Sequence, residues 1–229
     1  NVKNEHSMPW DPANFTANYA QNIKESKDPT IKYEKESLHR GSLNYNWNPY
    51  FKAWKPFEKK TKEKILSDMQ LNWLPNNIAM SSNWNRSYHE QQLRNVDSYE
   101  SDYTIPVPYS KRFTWLRQTS INWAVTKSIK MSFSSATNAR INEPDAPVNK
   151  HLYPEEYEAW KDTVVMQLWK LGTPVDYNQT FDLTWNIPIN KITLTNWINA
   201  SAKFRSNYQW DRGTLIDEDT QTGNILQNN

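Results

Sequence analysis

Ile121-Asn122-Trp123 runs into Thr126-Lys127-Ser128, and Ile129-Lys130-Met131-Ser132-Phe133 runs out of it. Apolar and polar residues alternate on both sides of a tight turn, with a Trp before it and an Ile after it. Period two is the pattern of a strand whose side chains point alternately to two faces, so this stretch reads as an antiparallel hairpin with one apolar face. The device recurs twice. Met69-Gln70-Leu71-Asn72-Trp73 turns at Leu74-Pro75-Asn76-Asn77 and leaves as Ile78-Ala79-Met80-Ser81. Phe181-Asp182-Leu183-Thr184-Trp185 turns around Pro188 to Lys191 and leaves as Ile192-Thr193-Leu194. Trp73, Trp123 and Trp185 then form an aromatic girdle at one level of a sheet whose outside meets lipid. The leading expectation is an all-β chain, an antiparallel transmembrane β-barrel segment.

Working outward, the same alternation covers Phe15, Ala17 and Tyr19, then Leu43, Tyr45 and Trp47, then Ile78, Met80, Trp84 and Tyr88. Phe113, Trp115, Ile121 and Trp123 share a parity against Leu116, Gln118, Ser120 and Asn122. The longest run is the last. Ile192, Leu194, Ile198, Ala200, Ala202 and Phe204 are expected to face lipid, and Asn199, Ser201, Lys203 and Arg205 to face the lumen. Trp197 breaks that pattern. At about 3.3 Å per residue, tilted strands of roughly 9–11 residues cross a bilayer.

Composition is consistent with such strands and excludes other classes. The chain has 229 residues, mean hydropathy −0.94 and no run of 18 apolar residues, which excludes transmembrane helices. Alternating strands escape that test, because their polar face cancels their apolar one. There is no Cys, which rules out disulfides and thiolate metal sites, and only 4 His. A net charge of +2 argues against a nucleic-acid partner. With 4 Gly and no phosphate-binding loop, no nucleotide cofactor is expected. No catalytic constellation stands out: the adjacent Glu155 and Glu156 read as charges at a helix N-terminus, so no enzyme, cofactor or metal is expected.

Two segments depart from strand periodicity. Glu58 to Asp68 is Lys-rich and reads as a short solvated helix. The excursion at about 142–176 carries a helix that starts at Pro154 and is capped by Gly172, with Tyr157, Trp160, Val164 and Leu168 on one face. That face is expected to act as an extracellular lid or to dock a partner. The Trp turns read as short and the opposite connections as long, which places the Trp side in the periplasm. Trp47 and Trp73 both belong on that side, although consecutive strands should alternate in direction.

Several runs resemble the SprA (Sov) family: Arg40-Gly41-Ser42-Leu43-Asn44-Tyr45, Asn72-Trp73-Leu74-Pro75-Asn76, Gln91-Gln92-Leu93-Arg94-Asn95 and Phe204-Arg205-Ser206-Asn207-Tyr208-Gln209-Trp210. Ile141-Asn142-Glu143-Pro144, leading into Tyr153-Pro154-Glu155-Glu156-Tyr157, belongs to the same resemblance. The family comprises the outer-membrane translocons of type IX secretion and gliding motility in Bacteroidota. The resemblance implies a multi-pass outer-membrane barrel far larger than about eight strands, with residues 1–229 as one part of it. It implies that secreted substrate proteins pass through folded. It also implies a PorV-type shuttle protein, a periplasmic plug, the remainder of the barrel and outer-membrane lipid as partners. The alternatives on the residues alone are another outer-membrane barrel, a porin or nutrient transporter, and a soluble extracellular β-sandwich used in adhesion.

Overall fold

The computed structural model describes residues 8–56, 70–94, 105–145, 148, 150, 154–191, 194–213, 215–217, 220–221 and 225–228. Seven long strands dominate: β1 (Phe15–Ser26), β2 (Ile31–Trp47), β3 (Asn77–Leu93), β4 (Tyr109–Trp123), β5 (Ile129–Arg140), β6 (Thr173–Ile187) and β7 (Ala200–Asp211). Each pairs antiparallel with the next in sequence. β8 (Leu215–Asp217) and β9 (Thr220–Gln221) pair with each other, and β10 (Ile225–Asn228) adds a short segment outside β7. One helix, α1 (Pro154–Trp169), interrupts the meander between β5 and β6. The chain is therefore mostly β, as its periodicity dictates. The sheet is open: β1 and β10 are its two edges. Among the described residues no helix is long and apolar enough to cross a membrane.

The register slopes. From Phe15, the first residue of β1, the ladder runs through Tyr45, Met80, Thr119, Ser135 and Gln179 to Tyr208. Strand β7, however, begins at Ala200. Across six strand spacings the ladder has climbed by about eight residues, ~26 Å along the strands for ~29 Å across them, which corresponds to a tilt of roughly 40° if the strand ends lie level. Two register irregularities, between Ile31 and Tyr33 and between Asn138 and Ala139, lie towards the opposite rim.

Two expected strands are corrected. Residues 70–73 do not form a sheet strand. Met69 lies outside the described residues, and Leu71 makes only an isolated bridge to Trp54. The partner of β3 is β2, with Trp47 opposite Ile78. Residues 48–76 are thus an excursion from one rim, which is why Trp47 and Trp73 share a side. The last strand also starts late. Ile192 lies outside the described residues, Leu194 sits in a turn 85% exposed, and Ile198 and Asn199 precede β7. Trp197 breaks the alternation because the chain there is still turning.

Rim lengths also differ from expectation. The Trp rim carries connections 48–76, 124–128 and 188–199; the other carries 27–30, 94–108 and 141–172. Each rim has one tight connection and one long one, so length does not assign the Trp rim to the periplasm. The tight 27–30 turn is built by Asp28, whose Oδ1 accepts hydrogen bonds from the Thr30 N–H (2.8 Å), the Thr30 hydroxyl (2.9 Å) and the Ile31 N–H (2.6 Å). Residues 58–68, expected to be helical, lie outside the described residues.

Candidate functional site

Antiparallel pairing aligns the alternation of each strand with that of its neighbours, so the sheet has one apolar and one polar face. One apolar row reads Trp47, Ile78, Ile121, Phe133, Phe181; the next reads Trp123, Met131, Leu183, Phe204. The matching polar row reads Asn46, Ala79, Ser120, Ser134, Thr180, Asn207, and beside it lie Asn44, Ser81, Gln118, Ala136, Asn178 and Gln209. An open hollow of about 610 Å³ crosses this polar face over five strands, lined by Asn44, Ser81, Gln118, Ser134 and Asn178 among others. Charges here are sparse and of both signs. Arg205 Nε donates to Asp182 Oδ1 at 2.5 Å across the β6–β7 pair, and Lys130, Thr184 and Lys203 share the adjacent row. A surface of amides and hydroxyls with few charges is hydrated and presents no apolar patch.

The structure brings part of the expected site together. Ala200, Ala202 and Phe204 lie on the apolar face opposite Ile187, Trp185 and Leu183, while Ser201, Lys203 and Arg205 lie on the polar face. Trp123 and Trp185 stand on the apolar face near the same rim. Trp73 lies outside the sheet, 68% exposed, with its ring 6.0 Å from that of Trp54. Its neighbour Asn72 ties the excursion to the β4–β5 turn. The Asn72 N–H donates to the Val125 carbonyl (2.9 Å), its side chain donates to the Ala124 carbonyl (2.6 Å), and its carbonyl accepts from Trp123 Nε1 (2.9 Å).

Helix α1 is oriented differently from expectation. Pro154 opens it, Glu155 and Glu156 occupy its first turn, and Gly172 follows it at φ 67. Val164 is buried against Trp115, Ala139 and Ile141, with Trp160 and Leu168 packed alongside. Tyr157 stacks near Trp160 with ring centroids 5.5 Å apart. The apolar stripe thus docks on the sheet's own apolar face, towards the rim opposite the Trp girdle, and is already covered there. The side left to solvent carries Val165, Met166 and Trp169.

A latch holds that docking. Arg86 of β3 donates from Nε and a terminal nitrogen to the two oxygens of Glu143, each at 2.8 Å. Trp160 Nε1 donates to the same carboxylate at 2.6 Å, and the Arg86 guanidinium lies 4.9 Å from the Trp160 ring centroid. Lys111 Nζ donates to the Pro144 carbonyl (2.6 Å) and the Tyr109 hydroxyl to Asp145 (2.9 Å). Sequence reasoning did not single out this network: Arg86 and Glu143 are 57 residues apart, and no local spacing marks the pair. His39 and His89 both have partners. His39 sits between the Tyr19 hydroxyl and Ser37 Oγ, each at 2.8 Å, and His89 meets Glu34 at 3.1 Å.

On the apolar face the described core is small: Trp47, Tyr88, Trp115, Ala139, Ile141 and Val164. Phe15, Tyr19, Leu43, Met80, Trp185 and Phe204 stay exposed on that same face. No family model matches this chain, and no curated protein matches it.

Proposed function

We propose that this sheet is one arc of the wall of a large outer-membrane β-barrel that conducts folded proteins. The observation that carries the reading is the sloping register: a tilt of roughly 40° matches the 35–45° of transmembrane barrel strands. Three further features support it. The two faces separate into apolar and polar, as lipid and a watery lumen demand. Phe15, Tyr19, Leu43, Met80, Trp185 and Phe204 lie exposed together on one face, the kind of apolar surface that marks a contact with another phase or partner. Two unpaired edges would be untenable in lipid, so the arc needs neighbours on both sides.

The resemblance to the SprA family supplies the cargo and the system: type IX secretion and gliding, with a PorV-type shuttle and a periplasmic plug as partners. The polar face provides the means, a hydrated wall without strong binding sites. No residue on it is assigned a catalytic role.

Residues 1–229 hold no Cys, so a cysteine introduced here is the only one in this arc. Single cysteines at Ser201 and Lys203 should react with a membrane-impermeant maleimide, and those at Ala202 and Phe204 should not. A photo-crosslinker at Gln118 or Ser134 should capture secreted polypeptide in actively exporting cells. Crosslinks only from Phe133 or Leu183 would reverse the faces, and none from either face would leave a porin or nutrient transporter.

A further inference from the structure

The apolar face contains one cation that the barrel reading does not use. Arg117 of β4 lies on it, one row from Trp115, and its guanidinium sits 4.7 Å from the Trp115 ring centroid. Trp115 is fixed in turn: Nε1 donates to Ser82 Oγ at 2.7 Å, and its ring lies beside Trp84 at 6.0 Å. Among the described residues no carboxylate pairs with Arg117. Below it opens an apolar hollow of about 520 Å³ lined by Pro9, Phe15, Leu43, Tyr45, Met80 and Arg117 itself, among others. The hollow has stiff walls: Phe15 and Tyr45 stack with centroids 4.9 Å apart, and the Tyr45 hydroxyl donates to the Pro9 carbonyl at 3.0 Å.

Position sharpens the chemistry. Beyond the row of Trp84 and Trp115 the first three strands turn polar, with Gln21, His39 and Arg86 in the next row, while Phe113 of β4 stays apolar. Beyond Trp115, too, α1 covers the sheet. Arg117 therefore stands near the upper rim of the bare apolar band, and the hollow lies within the band. A guanidinium held over an indole can still present N–H groups to an oxyanion, and phosphate accepts from that fork in two-pronged geometry. A ligand that is anionic at one end and hydrocarbon at the other satisfies both parts at once.

We propose that Arg117, with the hollow formed by Phe15, Leu43, Tyr45 and Met80, is a binding site for an anionic phospholipid, its phosphate on Arg117 and one acyl chain in the hollow. This rests on the reading of the apolar face as lipid-facing. The bound lipid neutralises Arg117, which pairs with no carboxylate among the described residues, and fills the groove between Pro9 and β2–β4.

The test uses the full-length protein that carries this sheet, extracted in neutral detergent. Native mass spectrometry compares retention of phosphatidylglycerol and phosphatidylcholine of equal chain length. The wild-type protein should retain the anionic lipid at least tenfold better, Arg117→Gln should abolish the preference, and Arg117→Lys should keep part of it. Met80→Glu, which places a like charge beside the phosphate while leaving Arg117 intact, should also weaken retention. Equal retention of both lipids by the wild type, or a preference untouched by Arg117→Gln, overturns the site while leaving the barrel standing. A protein that stays soluble without detergent and retains neither lipid overturns both.

Discussion

Gly41 and Trp84 stand opposite one another on β2 and β3, and the Trp84 ring lies over the glycine, where an added Cβ would sit 3.2 Å from the ring's Cε3. The ring fills the space that the missing side chain leaves. A side chain larger than methyl must push Trp84 off its neighbour Trp115. Gly41→Val should therefore destabilise the protein by about 1–3 kcal/mol. Urea unfolding of the detergent-extracted protein, read against Gly41→Ala, measures the effect, and a stabilised Gly41→Val would refute the packing.

The latch on α1 gives a larger effect. Glu143 keeps only 3% of its side chain exposed, and Arg86 is its ion-pair partner. Removing the cation strands a buried carboxylate, so Arg86→Met should cost about 3–5 kcal/mol of docking stability. Arg86→Met combined with Glu143→Leu should recover much of that loss. Protease sensitivity of the 141–172 connection, measured for both variants, checks the prediction.

The helix terminus is a second sensitive point. Gly172 holds φ 67, and a Cβ there would lie 2.9 Å from Ile141 Cδ1 and 3.0 Å from the Arg140 carbonyl. Gly172→Ala combines left-handed strain with a clash against backbone and should cost more than about 1 kcal/mol. Leu171 also takes a positive φ of 62, a conformation that disfavours leucine. Leu171→Asn should be neutral or stabilising by thermal unfolding. A destabilised Leu171→Asn would show that its side chain matters more than its backbone.

The proposal that the apolar face of β7 meets lipid and its polar face a lumen is tested in one experiment. Arg at Ala202, on the apolar face, should cost about 2–4 kcal/mol if it lies near the membrane midplane, and Arg at Ser201 should cost little. Equal tolerance in an outer-membrane assembly assay would sink the assignment of faces.

The β1–β2 turn responds to pH with a defined sign. The Ile31 N–H, then the Thr30 hydroxyl and N–H, hold the Asp28 carboxyl below its ordinary value of 3.8. A depressed carboxylate stabilises the turn above that value, and the contribution is lost as pH falls through the lower folded value. Amide exchange at Ile31, monitored through that acid window, should rise with protonation in the native protein and stay flat in Asp28→Asn. A flat native profile would remove Asp28 from the turn's energetics.

Much of this architecture was legible from residue order, and the particular failures are instructive. Ala202 and Ser201 were assigned to opposite faces correctly, because alternation is a property of adjacent residues. The Trp73 strand was misread because Asn72-Trp73-Leu74-Pro75 carries the same local pattern as a true strand end. Leu194 and Ile198 were misread for the same reason: parity continues through a turn by chance, and the break at Trp197 was the only local sign that the strand had not begun.

Residue order by itself determined that the chain forms antiparallel strands with one apolar and one polar face, since tight turns between alternating runs reverse the chain and a period of two along the backbone splits the faces. The tertiary structure alone decided that Trp47 pairs with Ile78 across an excursion, that the register climbs by about eight residues from β1 to β7, and that α1 docks on the apolar face through Arg86 and Glu143. Those are choices between distant segments, made by hydrogen-bond registry and by the cost of burying a charge without its partner.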